Sequence, residues 1–476
     1  MQYTTINAID LDILFAIFNY YRLDEENAWN LHGWRKVSHV CHSWRHLVHS
    51  LAFHLGMHIL CTNGTPVVGT LDHLPSFPLF VDYRDTNTII SRQDELAIPH
   101  ALCLCDRIHH IVLHIPPSIL YNILMFMGET FSMLKYLSLS SESREDTSLV
   151  LPKTCLAPNL RHLTLIGIDL PKRLRFLTSA VSLVTLVLTN IRASGYFRPG
   201  LLVARLQSLP QLEELSIGFS IPIPRPSAER ELLGKWGTPM TLPNLKHLRF
   251  RGVNSYLERM LGQIRAPLLE QLDITLFNQI VFSLPHLLYF TSTTEMLKLP
   301  IAEVTFGHEA VSMIMIMDTH STQQSRRFAL HVMCRQLDWQ IDCASQICSA
   351  LMPSLSGVEN LRLTFYGQAI PTEWQNGEID DTMWHEFHRA FVGVKKPRLC
   401  TALSEELSRA LQVNDVGSDP GLLPSLQEIE IYSHDSDLFS SFIRARHIAG
   451  RPVAVTTGFR SVHKSEDKLF PLTSVI

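Results

Sequence analysis

At 476 residues, with 46% apolar and 18% charged residues, the chain is long enough for a continuous core and too apolar for disorder. A formal net charge of −4 leaves no basic excess, which argues against a nucleic-acid surface. Nine cysteines, spread over the whole chain without a Cys-x-x-Cys, argue against a secreted disulfide framework and for reduced thiols in a core. No Lys or Arg precedes Arg22, and Asp10 and Asp12 interrupt the first apolar run, so no signal peptide is expected. No run approaches the roughly 18 apolar residues that span a bilayer. The expectation is a soluble protein of the cytoplasm or nucleus, with no membrane partner.

In chain order, residues 9–18 place Ile9, Ile13 and Ile17, and Leu11, Leu14 and Phe18, at helical spacing on a broad face. A second helix is expected over 34–49, where Trp34, Val37, Val40, Cys41, Trp44 and Val48 recur at three- and four-residue steps. Between them runs a polar connection with Asp24-Glu25-Glu26. So short a helical module, residues 1–54, has a small core of its own. Some of Leu11, Leu14, Val40 and Trp44 are therefore expected to stay exposed until a partner covers them. Met57–Cys61 then reads as a strand, Asn63-Gly64-Thr65-Pro66 as a turn, Val67–Leu74 as a short helix and Pro78–Tyr83 as the next strand.

From residue 108 one phrase recurs, apolar-x-x-apolar-x-apolar. It stands at Ile108/Ile111/Leu113, Leu134/Leu137/Leu139, Leu160/Leu163/Leu165, Leu183/Leu186/Leu188, Leu212/Leu215/Ile217, Leu245/Leu248/Phe250 and Leu269/Leu272/Ile274. It returns at Val358/Leu361/Leu363 and Leu426/Ile429/Ile431. Helical stretches are expected between, over 117–131, 198–209 and 254–265. A unit this short cannot bury its own apolar face, so copies must stack. The predicted fold class is α/β: a short all-α module, then over 55–476 an irregular leucine-rich-repeat solenoid with a parallel sheet on one face and helices on the other. A helix at 437–447 and a strand at Val453–Thr456 read as its C-terminal cap. The phrase lapses over 290–345, where only Val304–Phe306 and Phe328–Met333 suggest strands. The Asn or Cys that leucine-rich repeats carry three residues past the phrase is replaced by Pro116, Glu142, Ile168, Ile191, Ser220, Val253 and Phe277.

The motifs of catalysis are missing. His42 and His46 share a helical face, but Ser43-Trp44-Arg45 between them is not the metalloprotease sequence, and His385-Glu386-Phe387-His388 is one residue short. No nucleophile elbow, phosphate loop or dinucleotide fingerprint occurs. Cys103, Cys105, Cys343 and Cys348 read as buried small thiols, and Lys395-Lys396-Pro397-Arg398 as a solvated loop. No enzyme, cofactor or metal is expected. Side chains between the core positions of each strand point to the opposite face. They include His110, Tyr136, His162, Glu214, His247, Arg249, Gln271 and Asp273, and all but His110 are the candidates for a substrate-binding face.

The N-terminal helices carry a resemblance. Ile9-Asp10-Leu11-Asp12-Ile13-Leu14-Phe15-Ala16-Ile17-Phe18 resembles the opening of an F-box, and Val40-Cys41-His42-Ser43-Trp44-Arg45 resembles its second half. With the 61–66 turn, Asp338-Trp339-Gln340 and Leu423-Pro424-Ser425-Leu426, the chain resembles the F-box proteins with leucine-rich repeats of mushroom-forming fungi. The resemblance implies a non-catalytic receptor of an SCF-type cullin–RING ubiquitin ligase. Its F-box would dock on a Skp-type adaptor through Ile9, Asp10, Leu11, Leu14, Val40, Cys41 and Trp44, and its repeats would hold a protein substrate. Asp10 stands where the family has Pro, giving up a preset φ but supplying a helix N-cap. The alternative is a free-standing repeat scaffold whose F-box has decayed.

Overall fold

The structure, a computed structural model, describes residues 9–23, 38–50, 58–64, 69, 71, 77–84, 90–141, 149–171, 174–222, 239–279, 281–294, 299–317, 326–366, 381–400, 403–404, 407–408, 411, 422–431, 439–448 and 450–457. The protein is mixed α/β, built on extensive, mostly parallel sheet, and divides into two compact units, Met1–Leu269 and Glu270–Ile476.

The first unit begins with helices Leu11–Leu23 and His42–Ser50. The second is shorter than the expected 34–49, and residues 34–37 lie outside the described residues, as does most of the expected helix 67–74. The strands follow as β1 (Ile59–Cys61), β2 (Leu79–Tyr83), β3 (Ile108–His114), β4 (Tyr136–Ser140), β5 (Leu149–Val150), β6 (His162–Ile166), β7 (Ile168–Asp169), β8 (Thr185–Ile191), β9 (Glu214–Phe219), β10 (Met240–Thr241), β11 (His247–Gly252) and β12 (Ile264–Arg265). β1, β2, β3, β4, β6, β8, β9 and β11 lie side by side in that order, every pair parallel. β5 with β7 and β10 with β12 form small parallel pairs of their own.

The apolar phrase sets this register. Ile111, Leu137, Leu163, Leu186, Leu215 and Leu248 are direct neighbours across six strands, and Leu113, Leu139, Leu165, Leu188, Ile217 and Phe250 form a second row. All twelve are buried. Except for Ile108, which begins β3, the first apolar residue of each phrase sits before its strand rather than in it. The N–H groups of Leu134, Leu160, Leu183, Leu212 and Leu245 donate to carbonyls three residues back, at 3.1–3.4 Å. Asn159 and Asn244, just upstream of two phrases, donate side-chain amides to Ser132 and Pro210 of the preceding turn at 2.7 and 2.9 Å. That position, not the one three residues past the phrase, holds the asparagines that tie one turn to the next.

Helices between strands are brief, and local chemistry says where they start. Pro117 and Pro199 open helices Pro117–Leu124 and Pro199–Leu206, where the missing N–H costs nothing. Ser91 caps Arg92–Leu102, accepting from the Asp94 N–H at 3.1 Å. The helices expected over 117–131, 198–209 and 254–265 all end sooner. The last stops at Leu261, since Ile264–Arg265 leave to pair with β10.

The second unit contains β13 (Gln271–Phe277), β14 (Ile301–Gly307), β15 (Ala310–Ile316), β16 (Arg327–Met333), β17 (Asn360–Tyr366), β18 (Lys396–Leu399), β19 (Glu428–Ile431) and β20 (Ala454–Thr457). β13 pairs parallel with β16, and β14, β17, β18, β19 and β20 run parallel to one another in that order. Between these runs the all-parallel expectation fails. β14 and β15 form an antiparallel hairpin, and β15 is antiparallel to β16. The strict alternation of buried and half-buried residues in both hairpin strands is a two-residue period, which a search for the three-position phrase passes over. Residues 396–399 are a strand as well, not a loop. Lys395 bonds Glu359 at 2.8 Å, Lys396 lies 3.1 Å from Glu428, and Arg398 lies 3.0 Å from Glu430. The final helix and strand fall at Ser440–Ile448 and Ala454–Thr457.

Leu186 is fully buried in the middle of the first row. Its change to Ala should cost 2–5 kcal/mol, about the usual range for an emptied core site. Urea unfolding followed by circular dichroism should show the midpoint fall without a change in far-ultraviolet signal before the transition.

Candidate functional site

The row of side chains just before the first buried row faces the other side of the sheet. Phe80, His110, Tyr136, His162, Thr185, Glu214 and His247 occupy it, one from each strand from β2 to β11. Five rings form a continuous stack. His58 lies 3.9 Å from Phe80, Phe80 5.3 Å from His110, His110 4.4 Å from Tyr136 and Tyr136 5.7 Å from His162, centroid to centroid. The first three pairs are within 17° of parallel. Each such pair is worth about 0.5–1.5 kcal/mol beyond its buried area. An irregularity between Leu79 and Phe80 inserts His109 opposite β2, so this ring also reaches Phe80, at 6.4 Å.

Three imidazoles of this face, His109, His110 and His162, are shifted toward the neutral form. Burial, then the charges of Arg84 and His58, pushes His110 down to about 4. Burial, then Lys135 and His58, lowers His109. Burial and Arg161 lower His162, which Glu214 partly offsets. His162 Nδ1 also shares a 3.1 Å hydrogen bond with the Thr185 hydroxyl. Beyond Thr185 the row becomes ionic. Arg249, two residues past His247 on β11, places its guanidinium 3.1 Å from Glu214, and Lys246 reaches Glu213 at 2.8 Å. The row thus grades from aromatic at β2–β6 to ion-paired at β9–β11.

His114 Nε2 lies 3.1 Å from Ser138 Oγ on the adjacent strand, the separation of a base and its nucleophile. Strand β4 is flanked by paired strands on both sides, so its backbone amides belong to the ladders instead of converging on an oxyanion. The same cross-strand contact recurs between His331 and Ser312 at 2.7 Å. Both fit sheet cohesion.

Of the residues expected on the substrate face, Tyr136, His162, Glu214 and His247 share this row, half-buried, and Arg249 is exposed beside it. His110 is buried within it. Gln271 and Asp273 are on β13 in the second unit. Asp273 is not on an open face: it is buried, 3.6 Å from Arg327 on the paired β16. Phe80 and His58 were not anticipated, although the 79/81/83 alternation after Pro78 points Phe80 to this side.

In the N-terminal helices, Leu14, Phe18, Trp44 and Val48 turn inward, and Phe18 meets Trp44 edge-on at 5.1 Å. Of the four groups among which some were expected to stay exposed, Leu14 and Trp44 are buried and Val40 is exposed. The apolar groups left outside are Ile13, 56% exposed, Ile17, 39%, and Val40, 47%. Asp10 is exposed and Ile9 half-buried, and the Asp10 carbonyl accepts from the Leu14 N–H at 3.0 Å. Cys41 is half-buried at the start of the second helix, its Sγ accepting from the Trp44 N–H. The Leu11 side chain lies outside the described residues. Of the cysteines read as buried, Cys343 and Cys348 are, but Cys103 is exposed and Cys105 half-buried.

Among the described residues, no cluster of three or more His, Cys, Asp or Glu could hold a metal ion, and no helix is long and apolar enough to cross a membrane. No protein-family model matches this chain, and no curated protein matches it.

His110 gives a pH prediction. Its ordinary value of 6.5 falls to about 4 in the fold, so the unfolded chain binds the proton more tightly. The stability tied to its neutral ring is complete above 6.5 and is lost as pH falls through about 4. His331 and His388 behave alike, both pushed down to about 4 by burial. The unfolding midpoint should drop across that window, by at most about 1.4 kcal/mol per pH unit for each histidine. His110→Phe, which keeps the stack, should make the decline shallower.

Proposed function

We propose that this chain is the non-catalytic substrate receptor of a cullin–RING ubiquitin ligase, with an F-box-like module at its N-terminus and a leucine-rich-repeat solenoid behind it. The observation that carries the reading is the pattern of the first two helices. Their core is closed by Phe18 and Trp44, yet Ile13, Ile17 and Val40 remain outside it. Ile13 and Ile17 are one helical turn apart and present adjacent aliphatic groups on one side. An exposed aliphatic pair of this kind is suited to anchor a protein interface. A Skp-type adaptor is the partner that the resemblance of 9–18 and 40–45 to an F-box supplies.

The strand face is the surface offered to substrate. Stacked rings whose torsions are already fixed lose little entropy on contact. Neutral imidazoles add donors and acceptors without the desolvation cost of a charge. Ion pairs at β9–β11 favour a partner of matching charge pattern. Such a surface fits a folded protein or an extended peptide. The parallel rows, the tight turns that open most of the phrases and the two turn-to-turn asparagines support the solenoid reading.

The exposed aliphatics test this reading without touching the core. Ile13→Asp with Ile17→Asp should abolish co-purification of a Skp-type adaptor while leaving the thermal unfolding curve of the chain in place. Retention of the adaptor by the folded double variant would remove the F-box assignment and leave the free-standing scaffold.

A further inference from the structure

A second surface of the first unit is built from three elements other than the large sheet. The turn after β5 contributes Lys153 and Thr154, the helical turn Arg175–Ser179 contributes Arg175, and the end of helix Pro199–Leu206 contributes Arg205. They line an open cleft of about 740 Å³, and no carboxylate is among the described residues that line it. Thr178 and Ser179 are also in its wall, but both hydroxyls donate at 2.7 Å to carbonyls of their own turn.

Among the described residues, other cations have found acids. Lys246, Arg249, Arg362, Lys395, Lys396 and Arg398 are each paired with a Glu across neighbouring strands. Among the described residues, Lys153, Arg175 and Arg205 form no ion pair. The Arg205 Nε is in addition buried without a hydrogen-bond acceptor. A buried, unmet N–H on a cation costs free energy unless something arrives to accept it. Three converging positive groups also repel one another until a counter-charge enters. In a chain of net charge −4, this cleft departs from the prevailing balance.

We propose that the cleft is a binding site for a phosphoryl dianion. Guanidinium groups present paired N–H donors that match two oxygens of a phosphate, while the Lys153 ammonium supplies a point charge. The Thr154 hydroxyl offers a further donor. A carboxylate-bearing ligand would use only two oxygens, whereas a phosphate monoester has three for the three cations. The phosphoryl group belongs either to free inorganic phosphate or to a phosphorylated side chain of a protein partner. The site is independent of the ligase reading, since none of its residues lies in the N-terminal helices or on the stacked strand row.

The full chain is titrated at constant ionic strength with inorganic phosphate, with a short phosphoserine peptide and with its unphosphorylated twin. Binding is followed by phosphorus resonance broadening for the first two and by calorimetry for all three. The wild-type chain should bind at least one of the phosphorylated probes saturably. Arg205→Gln and, separately, the exposed Arg175→Gln should each weaken that binding about tenfold, with unfolding curves unchanged. A phosphopeptide bound at least tenfold more tightly than phosphate identifies a modified protein as the source, and comparable affinities identify the free ion. If neither phosphorylated probe binds, if the unphosphorylated peptide binds equally well, or if both variants bind as the wild type does, the site does not exist.

Discussion

The structure depends on one constraint: a strand of five to seven residues carrying two buried apolar side chains cannot cover them alone. Leu137 and Leu139 are buried because Ile111 and Leu113 lie on one side and Leu163 and Leu165 on the other, and the same holds at β6, β8 and β9. Each such residue contributes about 1.5–3 kcal/mol when removed from water, but only in register. A slip of one residue would turn every leucine of a strand to the opposite side. The turns hold against such a slip. Leu134, Leu160, Leu183, Leu212 and Leu245 are buried at the same place before each strand, and each N–H is tied three residues back.

A register fixed from one side also orders the other. Phe80, His110, Tyr136 and His162 stack because the leucines beside them are aligned, and Glu214 reaches Arg249 for the same reason. The second unit uses the arrangement electrostatically, with Arg362 on Glu303 and Arg398 on Glu430 across adjacent strands. Exposed pairs of this kind contribute roughly 0.2–1 kcal/mol each. Their weight is in which side chains are left unpaired. On the strand face Glu214 and Arg249 neutralise one another, whereas among the described residues Lys153, Arg175 and Arg205 form no ion pair.

The features legible in the sequence were those with a period. The recurring phrase located β4, β6, β8, β9 and β11 to within a few residues, and the solvent-side positions followed by alternation. What escaped was decided by contacts between distant segments. Asp273 looks like any other outward residue until Arg327, 54 positions later in the numbering (327 − 273), is placed beside it. Residues 395–398 resemble a basic loop in isolation, yet 396–399 pair as a strand, with Glu359, Glu428 and Glu430 beside their cations. Leu14 and Trp44 fit an interface motif as well as they fit a core, and only the packing of Phe18 on Trp44 separates the two. The hairpin of β14 and β15 reverses chain direction within a run otherwise read as parallel, and the three-position phrase carries no term for direction.

The central claim is that the first two helices recruit a ligase adaptor while the rest of the chain holds the substrate. Its most direct measurement is the binding of a purified Skp-type adaptor to the full chain and to a chain lacking residues 1–50. The account predicts saturable, equimolar binding to the full chain and none to the shortened one, with the strand regions of both still folded by circular dichroism. Equal binding to the two chains, or no binding to either, would contradict it.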